Sequence, residues 1–286
     1  MRAVNPPSGP PDLPARLAIN REITEVLLVD FIRRETLRTG LRRAVVGVSG
    51  GVDSAVVLAL AVKALGRSSV LGAILPYRTS SPSSERDAEL VLRTFGARGI
   101  RIDISPMVDA YFHRSPRANR VRRGNKMARE RMSILYDLSA VERALVLGTS
   151  NKTEMLLGYG TVHGDLACAL NPLGDLYKTQ VRQLARHLGV PLRVIRKTPS
   201  ADLFPGQTDE QEIGYRYDRL DRLLYLLVDR RCRKEDALGA GFPRPMVERV
   251  REMIRRSQYK RRTPLIAKVS HRTIGVDFRY PRDWGI

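Results

Sequence analysis

A chain of 286 residues with 43% hydrophobic content suffices for one large α/β domain with appended elements, or for two small domains, and excludes wholesale disorder. The net charge of +20 could draw a nucleic acid or a polyanionic small molecule. Aromatics are only 6% and the basic residues lie in scattered short Arg runs, so no specific nucleic-acid partner is expected. No apolar run reaches membrane-spanning length, and Met1-Arg-Ala-Val-Asn-Pro-Pro7 lacks an apolar signal core; a cytoplasmic protein with no membrane partner is expected. Cys168 and Cys232 form no metal-ligand spacing.

Residues 1–16 carry Pro6, Pro7, Pro10, Pro11 and Pro14 and read as a mobile or extended lead, with 17–286 as a single domain. Asn20 to Arg38 places Ile23, Val26, Leu27, Phe31 and Ile32 at helical spacing and stops before Gly40. Val45, Val46 and Val48 predict a buried strand that ends at Ser49-Gly50-Gly51, and an apolar helix runs from Ala55 to Leu65. A second strand follows at Ser69–Pro76, a helix at Ser84–Phe95 and a third strand at Ile100–Ile104. Arg114–Gly124 reads as a loop, Asn125–Ser139 as a helix and Ala144–Thr149 as a fourth strand. Beyond it the pattern is helical over Asp175–Leu188, Asp209–Val228, Lys234–Leu238 and Pro243–Arg256, with a basic, partly strand-like tail from Gln258.

Strands alternating with helices require parallel pairing and right-handed crossovers, hence an α/β fold with an open doubly wound parallel sheet and a helical C-terminal extension. Ligands in such sheets bind beyond the carboxyl ends of the strands. Gly47 to Gly51, Pro76-Tyr-Arg78 and Gly148-Thr-Ser150 all fall at such ends, so one crevice is expected to collect them.

The segment Gly47-Val48-Ser49-Gly50-Gly51-Val52-Asp53-Ser54 has the makings of a phosphate cradle. Glycines let backbone N–H groups approach an anion, and a helix start favours negative charge. Ser54 is placed to cap that helix. No Lys precedes Ser54, so this is not the Gly-x-x-x-x-Gly-Lys-Ser/Thr loop. Asp53 would repel a phosphate unless a cation lay between them, which points to Mg²⁺ carried with ATP. A tight connection with a capping Ser is the plainer alternative.

These residues resemble the pyrophosphate loop of the ATP-pyrophosphatases in the adenine-nucleotide α-hydrolase superfamily. Leu147-Gly-Thr-Ser-Asn-Lys-Thr-Glu154, Tyr159-Gly-Thr-Val-His-Gly-Asp165, Asn171-Pro-Leu-Gly-Asp-Leu-Tyr-Lys178, Thr198-Pro-Ser200 through Glu210, and Asn125-Lys-Met-Ala-Arg129 together resemble the ammonia-dependent NAD synthetases, from about residue 20 to the end. The resemblance implies that deamido-NAD is adenylated by ATP, that ammonia displaces AMP, and that the enzyme is a homodimer. It implies ATP contacts along 47–54 and at Thr149, Lys178 and Ser200, with Asp53 and Glu154 holding Mg²⁺. Asn125, Arg129, Glu154 and Lys260 would meet the substrate, and Asp53, Lys178 and Asp165 would serve the chemistry.

Two positions depart from the family pattern. A Lys that stand-alone members direct at the dinucleotide is Val162 here, and a later Asp is Ala169. The tail Gln258-Tyr-Lys-Arg-Arg262 looks more like the synthetase part of glutamine-using members, so a separate glutaminase partner is conceivable. The same chemistry on a different carboxylate, and a tRNA-modifying adenylating enzyme, are the alternatives.

Overall fold

In the computed structural model, which describes residues 17–274 apart from Pro205 and Thr263, the chain enters helix α1 (Arg21–Arg38), with the Asn20 side chain accepting the Ile23 N–H. The expected Pro-rich lead lies outside the described residues. Helix α1 packs through Leu28, Val29, Phe31 and Ile32, whereas Ile23, Val26 and Leu27 are exposed. Helical spacing located the helix but not the part of its apolar stripe that finds a partner.

Among the described residues four strands follow: β1 (Arg43–Gly47), β2 (Val70–Ile74), β3 (Arg98–Arg101) and β4 (Ala144–Leu147). All pair in parallel in the order β3-β2-β1-β4, with Val45 opposite Leu71 on one side and Val146 on the other. Strand β3 starts earlier than Ile100. Beyond its end the chain still bonds to its neighbour, Ile102 N–H to Ile74 O and Ile104 N–H to Pro76 O.

Pleating sends alternate side chains of β1 to opposite faces. Ala44 and Val46 join the cluster built on helix α2 (Val52–Leu65), with Val91 of helix α3 (Pro82–Phe95), Val181 and Leu184 of helix α7 (Lys178–His187), and Val194 of helix α8 (Leu192–Arg196). Val45 joins the other cluster, with Val108 and Phe112 of helix α4 (Ser105–Phe112) and Met127 and Leu138 of helix α5 (Arg120–Glu142). Helices thus cover both faces, as the alternation of elements required. Helix α5 begins at Arg120, capped by Asn119, so Arg120–Gly124 is helix rather than loop.

After β4 comes the short helix α6 (Lys152–Leu157). The expected single helix over Asp209–Val228 is divided into α9 (Asp209–Ile213), α10 (Tyr217–Leu224) and a π-helical turn (Tyr225–Asp229). The break is at Gly214, whose φ of +91° ends α9. Leu220, Leu223 and Leu224 of α10 form a separate apolar cluster with Met246, Val247 and Val250 of helix α12 (Arg244–Arg256), beside helix α11 (Lys234–Gly239). The tail is not strand-like at its start: Gln258–Arg261 form a 3₁₀ turn.

Candidate active site

Strand β1 is flanked by β2 and β4, so the connection leaving β1 runs toward β2 while β4 stands on its other side, and a crevice opens at the carboxyl ends of β1 and β4. The loop from Gly47 to Ser54 fills one wall of it. Val48 N–H still bonds to Ala73 O, and the chain then turns at Gly50 with φ +75°. A Cβ at Gly50 would lie 2.2 Å from Ser84 O of α3, so only glycine meets both the dihedral and the close packing.

Ser54 does not cap the helix. Helix α2 starts at Val52 with Gly51 at the cap position. Ser54 Oγ lies inside the first turn, donating to Gly51 O (3.0 Å) and accepting Ser49 N–H (3.2 Å), with Ser49 Oγ at 3.2 Å. The hydroxyls close the loop on itself, and the opening N–H groups of α2 have no carbonyl one turn back to accept them. A partial positive charge therefore faces the crevice.

Across the crevice, Asp53 of α2, Glu154 of α6 and Lys178 of α7 meet. Lys178 Nζ donates to Asp53 Oδ2 (2.6 Å) and Glu154 Oε1 (3.0 Å) and lies 5.1 Å from the centroid of the Tyr217 ring. Asn151 Nδ2 donates to Asp53 Oδ1 (2.9 Å). The same Asn151 caps α6: its Oδ1 accepts Glu154 N–H, and its own N–H reaches Glu154 Oε2. Asp209 stands beside this group, accepting the hydroxyls of Tyr159 (3.0 Å) and Tyr217 (3.1 Å).

One buried ammonium thus serves two half-buried carboxylates, with the buried Asp209 close by. Burial opposes the Lys178 charge, but Asp53, Glu154 and Asp209 outweigh it and raise its pKa. Burial, reinforced by the charges of Asp53 and Asp209, pushes the Glu154 carboxyl up to about 7 against the pull of Lys178. Burial likewise raises the Asp209 carboxyl. Asn151 and Asp209 had not been singled out in the sequence. Asn151-Lys-Thr-Glu154 carries a capping-box pattern that could have flagged the first.

The other expected residues gather around the loop 158–165. Thr161 Oγ1 donates to Asn125 Oδ1 (2.9 Å), Arg129 Nε to Val162 O (3.3 Å), and Thr161 N–H to Asp165 Oδ1 (2.8 Å). Burial raises the Asp165 carboxyl. Lys260 Nζ donates to Gly158 O and Gly160 O, both at 2.8 Å, and so fastens the tail to this loop. Thr149 is half-buried beyond β4. Ser200 is exposed and its hydroxyl accepts the Asp202 N–H; among the described residues no hydrogen bond ties it to the phosphate loop.

Sheet order, glycine loop and carboxylate-lysine cluster define a nucleotide-handling α/β enzyme of the ATP-pyrophosphatase class. A family model described as NAD synthase matches residues 24–264. The chain is 54% identical over 271 residues to an NH(3)-dependent NAD(+) synthetase of Trichlorobacter lovleyi, covering 95% of this chain and 99% of that relative. A protein of the same description from Chlorobium phaeovibrioides is 53% identical over 268 residues, 94% of this chain and 97% of its own length. Among solved structures, the NMN synthetase of Francisella tularensis superposes with a TM-score of 0.79 at 31% identity, over 87% of this chain and 99% of that one. The NH3-dependent NAD synthetase of Campylobacter jejuni gives 0.75 at 31%, over 88% and 100%. The chain belongs to the NAD synthase family, and it is a ligase. No helix among the described residues is long and apolar enough to cross a membrane.

Proposed function

We propose that this chain makes NAD from deamido-NAD, ATP and ammonia, acting in the cytoplasm as a homodimer. The observation that carries the reading is the buried Lys178 ammonium between Asp53 and Glu154, facing the Ser49–Ser54 loop. Relatives matched over nearly their whole length are described as ammonia-dependent, which supports the nitrogen donor.

The loop 47–54, with Thr149 and Ser200, would hold the nucleotide. The nicotinate carboxylate attacks the α-phosphorus, the bond to the bridging oxygen breaks, and pyrophosphate leaves. Charge builds on the departing phosphates, and Lys178 is placed to neutralise it. Asp53 and Glu154 are hard oxygen donors of the kind that hold Mg²⁺ together with substrate phosphates, and both also hold the Lys178 ammonium, at 2.6 and 3.0 Å. Mg²⁺ held by these carboxylates beside Lys178 would supply further neutralisation on the phosphates. Asn125, Arg129, Glu154 and Lys260 would orient the substrate. Ammonia then forms the C–N bond as the acyl C–O bond to AMP breaks. Asp165, its carboxyl raised by burial, is suited to take the ammonium proton.

Purified chain with MgATP, ammonium and deamido-NAD should yield NAD and AMP in equal amounts, and tRNA should not trigger ATP cleavage. ATP cleavage that depends on tRNA and ignores deamido-NAD would overturn the reading. Asp53→Asn should abolish AMP formation with an unchanged circular-dichroism spectrum; near-normal turnover in saturating Mg²⁺ would remove the metal assignment. A second reading, amidation of a mononucleotide, is favoured by Val162 and by the similarity to an NMN synthetase. The ratio of kcat/KM for the two acids decides between them.

A further inference from the structure

Behind the Lys178 cluster lies a carboxylate that the chemistry above does not use. Asp221 of α10 is fully buried. Its Oδ1 accepts the Thr153 hydroxyl at 2.6 Å and its Oδ2 accepts the Thr179 N–H at 2.7 Å. Thr153, also fully buried, takes the Lys178 N–H on the same hydroxyl oxygen at 3.0 Å. One side chain of α10 thus ties the first turn of α6 to the first turn of α7.

Both tied residues are sequence neighbours of residues in the cluster: Thr153 precedes Glu154, and Thr179 follows Lys178. The segments are also joined by Lys152 N–H to Leu176 O at 2.8 Å, and the Asp221 carboxylate adds a charged tie that reaches the first turn of each helix, where apolar contacts alone tolerate small translations. Both Asp221 oxygens and the Thr153 hydroxyl thus have partners in this one arrangement, and it ends at the backbone of Lys178.

We infer that Asp221 is a positioning residue for the reaction, holding the starts of α6 and α7 through Thr153 and Thr179 so that Lys178 and Glu154 meet the ATP phosphates at a fixed separation. The inference rests on the reading of Lys178 as the group that neutralises the phosphates. Asp221→Asn is isosteric but keeps one acceptor and turns an NH₂ group toward a second donor. Thr153→Val removes the hydroxyl at constant shape.

The test measures MgATP affinity by calorimetry, which needs no carboxylate substrate, together with kcat and KM for the full reaction. Asp221→Asn and Thr153→Val should each weaken MgATP binding about tenfold, the worth of one charged hydrogen bond. They should lower kcat by about 10- to 100-fold, as expected for misplacement by a fraction of an ångström to one ångström, with KM for deamido-NAD within twofold. Thr153→Ser, which retains the hydroxyl, should recover most of the loss. In a Lys178→Met background neither substitution should reduce MgATP binding further, because the effect runs through Lys178. Additive losses in that background, or full affinity and turnover with only a lowered Tm, would overturn the inference. Should Asp221→Asn fail to fold, the Thr153 pair carries the same cycle. Wild-type protein that binds MgATP but ignores deamido-NAD refutes the proposed function alone, and the binding cycle still decides the role of Asp221.

Discussion

Gly50 is the position where one added methyl group should stop the chemistry without removing any functional side chain. Its φ of +75°, and the 2.2 Å at which an added Cβ would lie from Ser84 O, mean that Gly50→Ala must move either the loop or α3. We expect a loss of about 1–3 kcal/mol of stability and undetectable MgATP binding, measured by denaturant titration and calorimetry; normal binding would show that the loop does not cradle phosphates. Glu154 gives a pH prediction. Its carboxyl is raised from 4.5 to about 7 in the folded protein, so between those values the folded state holds more protons than the unfolded state. The group's contribution to stability is complete below pH 4.5 and is lost as pH rises through about 7. Glu154→Gln should flatten that part of the stability-against-pH curve of the ligand-free protein, read from urea midpoints; an unaltered slope would refute it.

The tail motif acts at the scale of elements. Arg261 donates through Nη1 to Met155 O, Leu156 O and Ser257 Oγ and through Nη2 to Ile254 O. One guanidinium thus satisfies the open carbonyls at the end of α6 and joins them to α12. A lysine there has a single nitrogen and cannot span both helix ends. Arg261→Lys should therefore destabilise the protein by about 2 kcal/mol while lowering kcat less than threefold in the folded fraction. A collapse of kcat at unchanged Tm would instead assign Arg261 to the substrate. Sequence patterns recovered the strands and long helices because their apolar periods are local. They merged α9, α10 and the π-turn because the residues flanking Gly214 continue a helical period, although the glycine itself is the local sign of a left-handed helix end.

For the whole molecule the excess of positive charge sets non-specific behaviour. Much of the basic content is already paired, as in Arg98 and Arg43 with Glu142, Arg193 and Lys197 with Asp87, and Lys234 with Glu248. The remainder should bind RNA weakly, with affinity falling by about 10³-fold or more between 50 and 200 mM salt, and without stimulating ATP cleavage. Salt-resistant binding in a filter assay would show a built RNA surface.

Taken by itself, the sequence determined the α/β class from the alternation of its elements, and its contiguous motifs nominated the loop 47–54 with Asp53 and, through their resemblance to a known family, Glu154 and Lys178. Only the tertiary structure decided how those motifs meet. Asp53 and Lys178 are 125 residues apart, and their contact depends on β1 and β4 lying side by side in the sheet. Folding also reassigned the role that local reading gives Ser54, which closes the loop instead of capping a helix, and it shows Lys260 fastening the tail to the 158–165 loop. Asp221 stayed hidden for the same reason. An aspartate in an amphipathic helix looks solvated until packing shows that it faces inward, where a buried carboxylate must find donors, and here it finds them at the starts of the two helices that carry Glu154 and Lys178.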